Sequence, residues 1–144
     1  MFVNLALGSL MISLTVVIHT LGLIGVTNAM NRVTSYFRRS GHRRRRILAM
    51  NTVVLGVFAV LSTEIWFWAL CYHLIGFAGS FADALYFATI TFSTVGYGDI
   101  VPPENWRMLA ALEGINGFLL IGWSTAYLVT AGIRVGPFRS GEHF

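Results

Sequence analysis

Ser93-Thr94-Val95-Gly96-Tyr97-Gly98-Asp99, closed by Pro102 and Pro103, is the stretch on which the fold turns. It carries glycine at alternate positions and lies between two apolar runs, residues 81–92 and 108–133. As a helix the first run is about 18 Å long, too short to cross the hydrocarbon, whereas the second is long enough. Ser80 and Asp83 have the spacing of an N-cap residue and its N3 acid, so a short helix begins near Phe81. The chain therefore enters the membrane and turns back. Backbone that is neither helix nor barrel is tolerated at that depth only where protein buries it or where it lines a watery path, so the glycine-rich segment implies a pore.

Working outward, residues 2–27 and 47–75 are also long enough to span, which predicts an all-α integral membrane protein of three transmembrane helices plus a re-entrant helix and loop. With 56% hydrophobic and 11% charged residues among 144, a soluble globular domain is excluded. All ten basic residues are arginine, and seven fall between Arg32 and Arg46. Flanked by spans, that tract faces cytoplasm and not nucleic acid, with the N-terminus outside and Arg134 and Arg139 inside. Trp106 and Arg107 would anchor the outer end of the third span. Arg43, Arg44, Arg45 and Arg46 are candidate contacts for anionic lipid. Met30, Val33, Tyr36 and Phe37 recur at helical spacing as far as Gly41, but an ordinary loop is the preferred reading. Residues 1–31 carry no charged side chain ahead of their apolar run, so they read as a retained span and not a secretory signal. The division is then an extra N-terminal helix at 1–31, an Arg-rich cytoplasmic linker at 32–46, a pore module at 47–133 and a short cytoplasmic tail at 134–144. Cys71, the single cysteine, reads as a small buried hydrophobe.

Glycine at alternate positions lets successive carbonyls point one way, and four such strands around an axis make rings of oxygen. The carbonyls of Thr94, Val95, Gly96 and Tyr97, with the Thr94 hydroxyl, would replace the water of a dehydrated cation. The segment resembles the signature of the potassium channel family, in which this arrangement is already known. Ala84-Leu85-Tyr86-Phe87, leading through Thr89 and Thr91, and Leu112-Glu113-Gly114 are similar to small prokaryotic members. The resemblance covers about residues 47–133, and the first span lies outside it.

That resemblance implies a homotetramer in the plasma membrane that conducts K+ passively, with no covalent chemistry and no cofactor beyond the permeant ion. It implies ion binding by Thr94, Val95, Gly96, Tyr97 and Gly98, a Tyr97 ring packed behind the filter, and a Tyr86 hydroxyl donating to Asp99 at the outer mouth. Tyr97 favours K+ selectivity, since an acidic residue there goes with loss of it, and Phe87 lacks a hydroxyl for an aromatic cuff. The alternatives are a nonselective cation channel, a subunit of a potassium transporter, which usually has several degenerate filter copies per chain, and a lipid-binding membrane adaptor.

Glu64 and Glu113 lie within spans, where a lone carboxylate costs about 2.5–3.5 kcal/mol, so both must face protein or water. Glu113 is a candidate brace for the filter or simply a hydrogen-bonded structural carboxyl. His19 and His73 are pH sensors or satisfied polar groups. Gly117 and Gly122 are candidate hinges of the third span, or small residues for close packing. Two stripes compete to line a cavity: Phe118, Gly122, Thr125 and Val129, which family spacing favours, or Glu113, Asn116, Ser124 and Tyr127. The first span has no Arg or Lys, so strong voltage gating is not expected.

Overall fold

The computed structural model describes residues 1–37 and 42–135, with the backbone alone at 42, 43 and 135. Arg38, Arg39, Gly41 and residues 136–144, which include Arg139 and most of the expected tail, lie outside the described residues, as does the side chain of Arg43. Among the described residues the chain is all helical: α1 (Phe2–Tyr36), α2 (His42–Leu74), α3 (Phe81–Phe92) and α4 (Arg107–Val135), with a 3-10 turn at Glu104–Trp106 ahead of α4. Helices α1, α2 and α4 are each long and apolar enough to cross a membrane. Helix satisfies every backbone polar group within the segment, which lipid cannot do.

Within the stretch 32–46, expected as a loop, residues 32–36 and 42–46 are helical. Helix α1 runs on through Arg32 to Tyr36, and Arg44, Arg45 and Arg46 already belong to α2. No proline interrupts residues 28–36, and extending an existing helix is far easier than nucleating one. The Thr34 hydroxyl bonds back to the carbonyls of Met30 and Asn31, which keeps this polar extension within the helix.

Two compact units divide the chain. The first joins residues 1–19 with 61–121. Its core holds Trp68, Tyr72, Phe87, Phe92, Leu109 and Leu120. Helix α1 buries one stripe here, Asn4, Gly8, Met11, Thr15 and His19, at the three-to-four-residue spacing of a single helix face. Asn4 meets Leu109, Gly8 meets Leu112 and Thr15 meets Asn116, so α1 and α4 run parallel in this unit. His19 and Glu64, both fully buried, pair at 2.9 Å between Nδ1 and Oε1, and the Tyr72 hydroxyl donates to Glu113 Oε2 at 2.6 Å. Neither carboxylate is exposed to lipid, in keeping with the cost of a lone acid at that depth.

Helix α3 is capped by Ser80, whose hydroxyl accepts from the Asp83 N–H at 3.1 Å and donates to the Asp83 carboxylate at 2.7 Å. Phe87 lies edge-on to Tyr72 and Phe77, with ring centroids 5.1 and 4.7 Å away. Its missing hydroxyl is thus explained by an apolar aromatic cluster in which a phenol would have to be buried. The C-terminal end of α3 rests on α4: a Cβ on Gly117 would overlap the Phe92 carbonyl and lie 2.7 Å from its carbon.

The second unit comprises residues 20–60 with those from 122 onward. Gly22 faces Val60 and Gly56 faces Val26, an antiparallel exchange of glycine for valine that brings α1 and α2 close. Thr27 and Tyr127 share a hydrogen bond of 2.8 Å between their hydroxyls.

Two predictions rest on this packing. Gly117→Ala gains helix propensity of about 1 kcal/mol but drives a methyl into backbone that cannot yield, at a cost of about 1–3 kcal/mol or more. A lowered thermal midpoint of the purified protein in detergent is expected. His19→Leu leaves the Glu64 carboxyl buried without its imidazole partner and should destabilise by about 3–5 kcal/mol, whereas His19→Leu with Glu64→Leu should recover most of that loss. Denaturant unfolding of the single and double variants measures the difference.

Candidate functional site

At the end of α3, the local hydrogen bonds set the course of the glycine-rich segment. The Ser93 N–H and hydroxyl both reach the Thr89 carbonyl, the Thr94 N–H donates to Thr91 at 3.0 Å, and the Gly96 N–H donates to Ile90 at 3.0 Å. These bonds satisfy carbonyls that a helix end otherwise leaves open. They also orient the segment: across a trans peptide the carbonyl lies opposite the N–H, so the Val95 carbonyl faces away from α3. Among the described residues, no backbone N–H donates to the carbonyls of Thr94, Val95, Gly96 or Tyr97.

Positive φ recurs at every second residue: Thr94 at 60°, Gly96 at 55° and Gly98 at 78°. In an ordinary strand successive carbonyls alternate in direction; a left-handed residue at alternate positions is the device that turns them toward one side. Thr94 takes the left-handed position that follows a helix cap, where glycine is usual. A β-branched residue there costs about 1–3 kcal/mol, the kind of strain that concentrates at functional sites.

The segment is open on this chain. Val95 is 52% and Tyr97 73% exposed, so the described residues leave most of the Tyr97 ring uncovered. Beyond it, Tyr86 on α3 donates to Asp99 Oδ2 at 2.7 Å, and the Ile100 N–H donates to Asp99 Oδ1 at 3.1 Å. The Tyr86 hydroxyl is the main cause that holds the Asp99 carboxyl below its ordinary value. The sequence-derived residues Thr94 to Asp99 and Tyr86 are therefore brought together at one end of α3.

Glu113 is placed apart from them, fully buried and bonded to Tyr72, a partner 41 residues away that no local motif announces. Gly117 has its small size used by the Phe92 carbonyl, whereas Gly122 has no atom within 4 Å of where a Cβ would stand. Of the two stripes on α4, Glu113, Asn116 and Ser124 are buried within the chain, and Tyr127 bonds Thr27. Phe118, Gly122, Thr125 and Val129 are exposed. Arg44 and Arg46 are exposed near the start of α2, with Ile47 and Leu48 beside them also exposed. Sequence reasoning named His19 and Glu64 singly and missed their pairing; it also missed Asn4 and Thr15, whose apolar neighbours hide them and which a helical wheel through His19 would have aligned.

Comparison with known proteins agrees with this architecture. Residues 57–134, more than half of the chain, match the family described as "Ion channel". The match runs from within α2 through α4, and α1 lies outside it. Two-pore potassium channel 1 of Arabidopsis thaliana is 49% identical over 41 residues, 28% of this chain and 11% of that protein. The chain thus spans a small part of that relative's length. No solved structure matches it significantly. A short capped helix, a glycine-rich segment with left-handed residues at alternate positions and two flanking helices long enough to span, in a chain whose sequence matches over the same region, make this membrane protein a member of the ion channel family, with a further helix ahead of the matched region.

Proposed function

We propose that this protein is a potassium-selective channel in which four copies of the chain set their 94–98 segments around one axis. The observation that carries this reading is the alternation of left-handed residues at Thr94, Gly96 and Gly98 on a segment whose carbonyls from Thr94 to Tyr97 accept from no backbone N–H among the described residues. Oxygens of Thr94, Val95, Gly96 and Tyr97, with the Thr94 hydroxyl, then stand in for the hydration shell of K+, the permeant ion; Gly98 completes the segment. One chain supplies a quarter of each ring, so a homotetramer is required. The exposed Tyr97 ring fits that requirement, because only a neighbouring copy is left to pack against it. The negative end of the α3 dipole adds attraction for a cation beyond the segment.

In this reading Tyr86 and Asp99 hold the outer mouth, Glu113 braces α4 from behind through Tyr72, and the exposed stripe Phe118, Gly122, Thr125 and Val129 faces the water-filled side of α4. Helix α4 is free to bend at Gly122 but is held at Gly117 by Phe92. The concentration of arginine between α1 and α2 supports an N-terminus outside and a C-terminus in the cytoplasm of the plasma membrane, with Arg43, Arg44, Arg45 and Arg46 against anionic lipid.

Purified protein in liposomes should pass K+ and Rb+ and largely exclude Na+, and Tyr97→Asp should bring the K+:Na+ permeability ratio toward one. Equal permeation of both ions through the unmodified protein would falsify the selectivity. A second prediction follows from Asp99. Its carboxyl is held below the ordinary value of 3.8. The stabilisation this gives is complete above that value and is lost only as pH falls through the lower folded one. Tyr86→Phe removes the main cause of the shift, so the acid range in which K+ flux fails should move upward toward pH 3.8. Flux titrated from neutral to strongly acid pH in both proteins measures it.

A further inference from the structure

We infer that α1 is a positioning element of the outer mouth and that Asn4 is the residue through which it acts, an inference that rests on the channel reading above. Asn4 is nearly fully buried and uses both ends of its amide. Oδ1 accepts from the Leu109 N–H at 3.1 Å, and Nδ2 donates to the Asn105 carbonyl at 2.7 Å. This orientation is the one that satisfies both partners, since a carbonyl must meet the N–H and an NH2 must meet the carbonyl.

Leu109 is the third residue of α4, and its N–H is among those a helix start leaves without an internal acceptor. The residue just ahead of α4 usually supplies the cap. Here it is Trp106, whose indole offers a donor and no acceptor. The cap comes instead from a side chain 105 positions earlier. The same side chain grips the 3-10 turn that connects the 94–99 segment to α4.

The connection from Asp99 to α4 packs Ile100 and Trp106 against the core and is gripped by side-chain hydrogen bonds at both ends. At one end Tyr86 bonds Asp99; at the other Asn4 bonds Asn105 and Leu109. Between them the Trp106 N–H donates to the Pro103 carbonyl at 2.9 Å. Docking of α1 does not depend on Asn4 alone. Gly8 lies against Leu112, the Asn116 amide donates to Thr15 at 2.9 Å, and His19 pairs with Glu64. Removing the Asn4 amide therefore frees the outer connection while α1 stays in place, which separates positioning from docking.

The test compares Asn4→Ala, Asn4→Asp and Thr15→Val with the unmodified protein as assembled channels in liposomes, reading the K+:Na+ permeability ratio and the thermal midpoint. Asn4→Ala removes both hydrogen bonds and is expected to keep K+ flux but lower the ratio at least about fivefold, the effect that a single lost hydrogen bond has on an ordered state. Asn4→Asp keeps an acceptor for Leu109 but turns an oxygen toward the Asn105 carbonyl, so the ratio should fall at least as far. Thr15→Val should lower the midpoint and leave the ratio unchanged. An unchanged ratio in Asn4→Ala, an equal fall in Thr15→Val, or failure of the Asn4 variants to assemble, which would assign Asn4 to folding, overturns the inference. An unmodified protein without K+ preference instead rejects the channel reading itself, before any variant is compared.

Discussion

Hydrocarbon offers no water to a backbone N–H or carbonyl, and every other feature of this chain follows from that. Three long helices meet the demand internally. Where the chain leaves helix at 93–99, the N–H groups of Ser93, Thr94 and Gly96 meet the carbonyls that end α3, and among the described residues no backbone N–H donates to the carbonyls of 94–97. Carbonyls left so need water or another partner, and the segment is exposed. The strained Thr94 belongs to the same economy, because its left-handed backbone is what lets the turn close on α3.

The buried polar side chains show the constraint at work elsewhere. His19 with Glu64, Tyr72 with Glu113 and Thr15 with Asn116 are contacts between helices, each hidden from lipid. Any of these side chains left alone would oppose insertion, and together they tie the parts of α1, α2 and α4 that belong to the first unit. The helix outside the family match is therefore no loose appendage: its buried stripe carries Asn4, Thr15 and His19, each bonded into the matched region.

How much of this was legible beforehand depends on the range of the interaction. Helix α3 starts and stops where the residues say, because Ser80 and Asp83 form a local cap and the run is too short to cross. The Tyr86–Asp99 contact was foreseeable from a known motif, and the structure places both groups together. The helical ends of the stretch 32–46, at 32–36 and 42–46, were not legible, because arginine density reports which side of a membrane a segment faces, not whether its backbone stays helical. Partners of Glu64 and Glu113 were not legible at all, since His19 and Tyr72 are 45 and 41 residues distant and only the fold brings them near. Which stripe of α4 the chain itself buries was likewise a tertiary matter, set by contacts such as Tyr72 with Glu113 and Thr15 with Asn116.

Gly117 carries a mechanical consequence. Because bare main chain of Phe92 sits on it with no side chain between, α3 and α4 touch there without any compliant layer. Rolling or sliding of α4 at that level would drag the tip of α3, and with it the turn that begins at Thr94.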